Sequence, residues 1–316
     1  MLKTFQKLTA LFVTLGLSVS VFAEQTLSAK QLLQKMPVAN KQLNYEIAFF
    51  KATPLNIESL RYRHLMRDGK NYAQLVSLDG VQQEIILRDN LVSYFQTNFQ
   101  PFTINSQHIV DSLPVLMNSN FDRLEKYYDF IKIGRNRVAD RLVQTIRILP
   151  KDDFRYQYVA FIDEENHLLL QSDLLDRDGN LLDQFRVVHL YIGEGLNGLA
   201  DYLEDITYPP LLLDKKEEKS VELNWKASWL PQGFEVIKQQ IGVENNSNIE
   251  SQLYSDGLFS FTIYIADPIN KTELDNAWKQ GAYTIYSETI QNKEITFIGQ
   301  LPLSTAKRIV QDIKFK

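Results

Sequence analysis

Between residues 43 and 191 the chain alternates apolar and polar side chains with a period of two, and short turn-forming pairs interrupt the pattern repeatedly. Tyr45, Ile47 and Phe49 share one parity, Tyr156 and Tyr158 another, and Phe185, Val187, His189 and Tyr191 a third. Successive strand side chains point to opposite faces, so each set marks one buried face of a strand. The pattern predicts strands over 43–51, 60–67, 72–78, 84–88 and 91–96. After a break it predicts 128–133, 141–149, 155–162, 168–176 and 182–191. Asp68-Gly69, Asp79-Gly80 and Asp178-Gly179 stand between consecutive strands. Asp-Gly supplies the positive φ values that tight hairpins require. An antiparallel meander follows.

Helical spacing is rarer. Leu32, Leu33 and Met36 fall on one face of a helix beginning near residue 27, with Ser28 as its N-cap and Pro37 as its expected end. Residues 111–128 read as short helices with loops. The GEGLNGL stretch at 193–199 reads as a flexible turn. Its Gly193, Gly195 and Gly198 match a dinucleotide-binding spacing, but without the parallel strand–helix–strand setting that gives such a loop its meaning.

A compositional break follows Pro209-Pro210. Residues 214–222 read DKKEEKSVE, charged and nearly free of large apolar side chains, which marks a linker. The expected organisation is a large domain over 24–210, a linker over 211–222 and a small α+β domain over 223–316. In the last, strands are expected at 235–240, 251–255, 259–266, 283–289 and 293–300. Ser304 is the expected cap of a closing helix over 305–313.

The first residues carry an address. Lys3 and Lys7 precede an uncharged apolar run over 8–21, and Val21-Phe22-Ala23 offers a cleavage site after Ala23. The run is shorter than the roughly 20 residues a membrane span needs. Residues 1–23 are therefore expected to be a cleaved export signal. Removing those two lysines takes the net charge from −5 to −7. A chain this acidic is a poor partner for nucleic acid or anionic surfaces.

Candidate chemistry is sparse. The chain has no cysteine, which excludes thiol catalysis, disulfide exchange and thiolate metal sites. His64, His108, His167 and His189 show no metal-ligand spacing. Asp176, Asp178 and Asn180 resemble the start of a calcium loop, yet Val187 stands where the closing glutamate belongs, and a hairpin turn explains them better. No serine nucleophile motif occurs. Neither a cofactor nor a metal is expected, and an enzyme is disfavoured. Arginine is the remaining signal. Arg135-Asn136-Arg137, read as a loop, could meet an anionic group as bidentate forks, with pairing to local acids such as Asp140 as the plainer alternative. A curved sheet with an apolar face and basic residues at its rim suits an amphiphile, whose chain would contribute on the order of 0.8 kcal/mol per buried methylene.

Several blocks carry a family likeness along most of the chain: ESLRYRHLMRDGKNYAQLVSLDG at 58–80, VDSL at 110–113, YYDFIKIGRNRVADRL at 127–142, DLLDRDGNLLDQFRV at 173–187, WLPQGF at 229–234, LYSDGLFSF at 253–261 and GQLPLSTAKRIVQDIKF at 299–315. In this order they resemble the MucB/RseB family of periplasmic regulators of the envelope-stress sigma factor. The resemblance implies a large N-terminal domain like the lipoprotein carriers, an unclosed antiparallel β-barrel around helices, followed by a small α+β domain. It implies a periplasmic protein that binds the periplasmic segment of the membrane anti-sigma factor and shields it from the initiating protease. Lipopolysaccharide or another acylated lipid would favour release. A homodimer or higher oligomer is compatible with such a lock.

On this reading the partner is expected at two aromatic turns. One holds Trp229, Leu230, Pro231 and Phe234; the other holds Tyr254, Asp256, Leu258 and Phe259, with a core role for Trp229 and Phe259 as the equal alternative. Lipid is expected at Tyr94, Tyr156 and Tyr158, with Arg135 and Arg137 at the rim, core packing being the plainer role for each single ring. A lipid or lipoprotein carrier is the alternative.

Overall fold

The computed structural model describes residues 27–110, 112–212, 222–244, 247–268 and 276–316. The proposed signal peptide and most of the proposed linker lie outside the described residues.

The large domain opens with helix α1 (Ala29–Gln42). Six strands follow: β1 (Tyr45–Ala52), β2 (Ile57–Arg67), β3 (Lys70–Ser77), β4 (Gln83–Arg88), β5 (Leu91–Gln96) and β6 (Phe102–Asn105). A short helix, α2 (Phe121–Leu124), leads into β7 (Tyr128–Val138), β8 (Arg141–Pro150), β9 (Gln157–Asp163), β10 (Leu169–Leu175) and β11 (Leu181–Ile192). All eleven strands form one antiparallel sheet in the order β6-β5-β4-β3-β2-β1-β11-β10-β9-β8-β7. The two halves of the chain meet at β1 and β11, and β6 and β7 end the sheet without pairing to each other. The result is an unclosed curved sheet around α1, whose Leu32, Leu33 and Met36 are buried among Tyr45, Phe49, Tyr62 and Phe185.

Ser28 caps α1 as expected: its hydroxyl accepts from the Gln31 amide at 3.2 Å, and the Gln31 side chain returns the bond at 2.8 Å. Pro37 does not end the helix, which runs on to Gln42. A proline inside a helix removes one hydrogen bond and crowds the preceding turn. Here the second half is anchored from outside, because Asn40 is buried, donates to Asn118 at 3.4 Å and accepts from the Tyr45 hydroxyl.

The opposite face of the sheet is covered only locally. Helix α3 (Asn197–Asp205) lays Leu199, Ala200 and Leu203 on Leu65, Tyr72 and Ile86. The stretch read as a flexible turn is thus the entry to a packed helix. The single parity expected through β11 also fails, because a bulge opposite Ala48 and Phe49 leaves Val188 unpaired; Val187 is buried while His189 and Tyr191 are exposed. Asp176, Asp178 and Asn180 form the turn expected of them. The Asp176 carboxylate accepts from the Asp178 and Asn180 amides at 2.9 and 2.8 Å.

The small domain contains β12 (Trp225–Ala227), β13 (Glu235–Glu244), β14 (Ser247–Ser255), β15 (Ser260–Ala266), β16 (Asn276–Gln280), β17 (Tyr283–Ile290), β18 (Lys293–Gly299), helix α4 (Leu303–Gln311) and β19 (Ile313–Phe315). Six strands make an antiparallel sheet in the order β13-β14-β15-β18-β17-β16, and β12 pairs with β19. Pro302, not Ser304, occupies the N-cap of α4.

His64 lies buried on β2 beside the rings of Tyr45 and Tyr62, with Nδ1 2.7 Å from the Leu43 carbonyl. The carbonyl can only accept, so Nδ1 carries the proton in the neutral ring. Burial lowers the ring's pKa, and the bond to Leu43 only partly opposes this. The unfolded chain then binds a proton more readily than the folded one. Stability is full above the ordinary histidine value of about 6.5 and falls as pH drops through it, at up to roughly 1.4 kcal/mol per unit. Urea titrations of the wild type and His64→Asn at pH 7.5 and 5.5 should show a steeper acid loss in the wild type. Equal slopes would remove His64 as the cause.

Candidate functional site at the domain junction

The two domains meet where the 255–259 turn of the small domain enters the open end of the large sheet. Asp256 organises this turn: one carboxylate oxygen accepts from the Leu258 and Phe259 amides at 2.9 and 2.8 Å. The other oxygen leaves the turn for the large domain, where the Tyr128 hydroxyl donates at 2.5 Å and Arg155 Nη1 at 2.6 Å. Asp256 and Arg155 side chains have no solvent exposure. Arg155 also donates to the Gln232 carbonyl at 2.7 Å across the junction and pairs with Asp152 within its own domain. Burial raises the Tyr128 pKa well above its ordinary value, and the Asp256 charge adds to this, so the hydroxyl stays a donor.

Aromatic contacts surround this polar centre. Phe259 stacks on Tyr158 with centroids 5.5 Å apart and meets Tyr156 edge-on at 6.3 Å. Trp229 meets Phe154 edge-on at 4.8 Å, and the Arg308 guanidinium lies 3.7 Å over its ring. Thr305 donates to the Phe154 carbonyl at 2.9 Å. Gly233 adopts φ +91°, and a Cβ there would come within 2.6 Å of the Tyr127 ring. Gly233→Ala therefore combines backbone strain with a clash at the junction and should cost about 1–3 kcal/mol. An unchanged thermal midpoint would show that Tyr127 moves aside freely.

Two cavities of about 350 Å³ each flank the junction. One lies between Tyr158, Leu174 and Phe185 of the large domain and Leu258, Phe259 and Tyr283 of the small one. The other lies between Thr53 and Asn56 on one side and Trp278, Tyr283, Ile285 and Ile298 on the other. Lys51 and Asp183 line both. Burial raises the Asp183 carboxyl above its ordinary pKa, with Lys51 opposing and Glu58 reinforcing. A third, more open groove of about 700 Å³ runs along α1 past Val38, Leu43 and His167.

The structure buries most of the expected partner-binding turns, the alternative left open for Trp229 and Phe259. Pro231, Phe234, Tyr254, Asp256, Leu258 and Phe259 are all buried, and Trp229 and Leu230 are half-buried against the core. Their apolar area is already used: Phe234 and Tyr254 pack on Phe261, and Phe259 packs on the large domain. The expected lipid residues do not converge either. Tyr94 stacks on Phe102 near the β6 edge at 4.8 Å, while Tyr156 and Tyr158 are buried at the junction. Arg135 and Arg137 lie on edge strand β7 rather than in a loop. Arg135 grips Glu164 with a fork, its Nε donating at 2.6 Å, and Arg137 pairs with Asp140 at 2.9 Å. Both guanidinium groups therefore meet local acids. The sequence reading overlooked Arg155, Tyr128, Trp278 and Tyr283. Only the Asp256-Gly257 pair announced the turn that gathers the first two.

At the centre of this junction Arg155, Asp256 and Tyr128 are paired with one another, and the flanking cavities mix aromatic and aliphatic with polar side chains. A large unclosed sheet joined to a small sheet domain through such a junction defines a two-domain binding protein. The MucB/RseB N-terminal domain matches residues 28–212, and the MucB/RseB C-terminal domain matches residues 219–314. This chain belongs to the MucB/RseB family, whose members are regulatory binding proteins rather than enzymes. It is 59% identical to the sigma-E factor regulatory protein RseB of Haemophilus influenzae, over 98% of each chain. It is 42% identical to RseB of Escherichia coli, over 96% of each. The crystal structure of MucB in complex with MucA(peri) superposes with a TM-score of 0.73 at 23% identity, covering 92% of this chain and 99% of that one.

Proposed function

We propose that this protein is a periplasmic regulator of sigma-E envelope-stress transcription that acts by binding the periplasmic segment of the membrane anti-sigma factor. The observation that carries this reading is the 59% identity, end to end, to a sigma-E factor regulatory protein. The complex of the related MucB with MucA(peri) supports the kind of partner. In this reading binding shields the anti-sigma segment from the protease that begins its destruction. Lipopolysaccharide or a related acylated lipid binds better to the free protein and so weakens the complex by its differential affinity. The export signal at 1–23 would deliver the chain to the compartment where that segment is exposed.

The test is binding of the purified protein to the same organism's anti-sigma periplasmic segment, with and without lipopolysaccharide. Tight binding that the lipid weakens is expected. Failure to bind the segment, with acylated peptide or lipid still captured, would favour the carrier reading, for which the aromatic-lined junction cavities are the supporting feature.

A further inference from the structure

The junction is built so that it can part cleanly. On the large domain Arg155 is held by Asp152, three residues before it. On the small domain Asp256 keeps its own donors, the Leu258 and Phe259 amides. Each charged side chain would therefore keep a partner if the domains moved apart, and only the bonds across the seam would be lost. Around Asp256 those are Tyr128 to Asp256, Arg155 to Asp256 and Arg155 to the Gln232 carbonyl; elsewhere on the seam the Thr305–Phe154 and Ser119–Gly257 bonds and the Arg123–Glu235 pair would open with them. A buried ion pair that leaves a bare charge when broken is a permanent feature of a core. Here Arg155 keeps a counter-charge, Asp256 keeps two amide donors, and both regain water when the domains part, so the fastening can open reversibly.

The chain is anchored on both sides of the proposed linker: after it Leu223 is buried, and the Lys316 amide donates to the Asn224 carbonyl at 2.8 Å. Before the proposed linker, Thr103 of β6 donates its amide to the Pro210 carbonyl at 2.9 Å, and the Leu212 amide donates to Thr103 at 2.7 Å. The turn that bears Asp256 also supplies Leu258 and Phe259 to the wall of one junction cavity, so the fastening and the cavity share a moving part.

We infer that Asp256, Arg155 and Tyr128 form an interdomain latch that holds the two domains in one arrangement, and that releasing it lets the small domain swing away from the large sheet. The inference concerns the free protein and stands whether or not the anti-sigma segment is its partner.

The absence of cysteine makes the test direct, since two introduced cysteines are the only labelling sites. Spin labels at Arg147→Cys on β8 and Thr289→Cys on β17, both exposed, report the distance between the domains by pulsed electron resonance. The otherwise unaltered protein should give one narrow distribution. Asp256→Asn keeps an oxygen for the Leu258 and Phe259 amides but cannot accept from both Tyr128 and Arg155 with the second position. It should add a second population at longer distance. Tyr128→Phe, which keeps the ion pair, should add a smaller one. If Asp256→Asn does not fold, Tyr128→Phe and Arg155→Lys carry the same reading, because lysine cannot reach Asp152, Asp256 and Gln232 together. Folded variants whose distributions superimpose on the parent's would overturn the latch.

Discussion

Phe261→Ala is expected to destabilise the small domain by about 3–5 kcal/mol, a large part of the 5–15 kcal/mol that typically holds a domain folded. Phe261 is 1% exposed and sits at the middle of a row of rings. It stacks on Tyr254 and on Phe297 at 4.9 Å each and is tilted against Phe234 at 5.2 Å. Directly across the strand pair stands Gly299, where a Cβ would come within 2.2 Å of Phe261 Cβ. The ring thus covers a position with no side chain of its own. Truncation would leave a void that this neighbour cannot fill, and the penalty grows with the volume that fails to collapse. Urea unfolding followed by tryptophan fluorescence measures it. A loss under about 1 kcal/mol, within the range of volume-conserving swaps, would mean that the surrounding rings close over the gap.

Arg155→Met is the second large effect, expected at about 3–5 kcal/mol because it strands a desolvated carboxylate. Asp256 would retain the Tyr128 hydroxyl and two amides but lose its counter-charge in a site closed to water. Asp152 is 22% exposed and can rehydrate, so the penalty falls mainly on Asp256. The double variant Arg155→Met with Asp256→Asn removes both charges and keeps the turn. It should recover most of the loss, since an absent buried pair costs far less than a broken one. A double-mutant cycle in which the two losses simply add would show that the residues do not act on each other. That outcome would also deprive the proposed latch of its central bond.

Most strands of the large domain were legible because one face of each meets a core and period-two alternation records this; β6 and the second half of the largely exposed β7 were not. Hairpin turns were legible because left-handed φ values select Asp-Gly, as at Asp68 with φ 52° and Gly69 with φ 75°. Strand β16 escaped notice because all five of its residues are exposed, leaving no alternation to read. Helix α3 escaped because glycines precede it, although its Leu199 and Leu203 are spaced to share one face. Pro37 misled because local propensity favours a stop, while the burial of Met36 and Asn40 against the sheet keeps the helix going.

The candidate site was less legible than the fold. For the turns that hold Trp229, Tyr254 and Phe259, the sequence leaves a partner-binding and a core role open. The large domain packs on Trp229 and Phe259, while Tyr254 packs on Phe261 of its own domain, and no local pattern encodes which surfaces meet. The pairings of Arg135 with Glu164 and Arg155 with Asp256 join residues 29 and 101 positions apart, so spacing along the chain could not reveal them. From its sequence alone the protein is determined to be a strand-rich chain without thiol chemistry and with an acidic balance. Those properties are set by side-chain chemistry and by periodicities a few residues long. Which aromatic residues are buried, which arginines are neutralised and how the domains are fastened were decided by the tertiary structure. Each depends on desolvation by distant parts of the chain, and burial is a property of the packed whole.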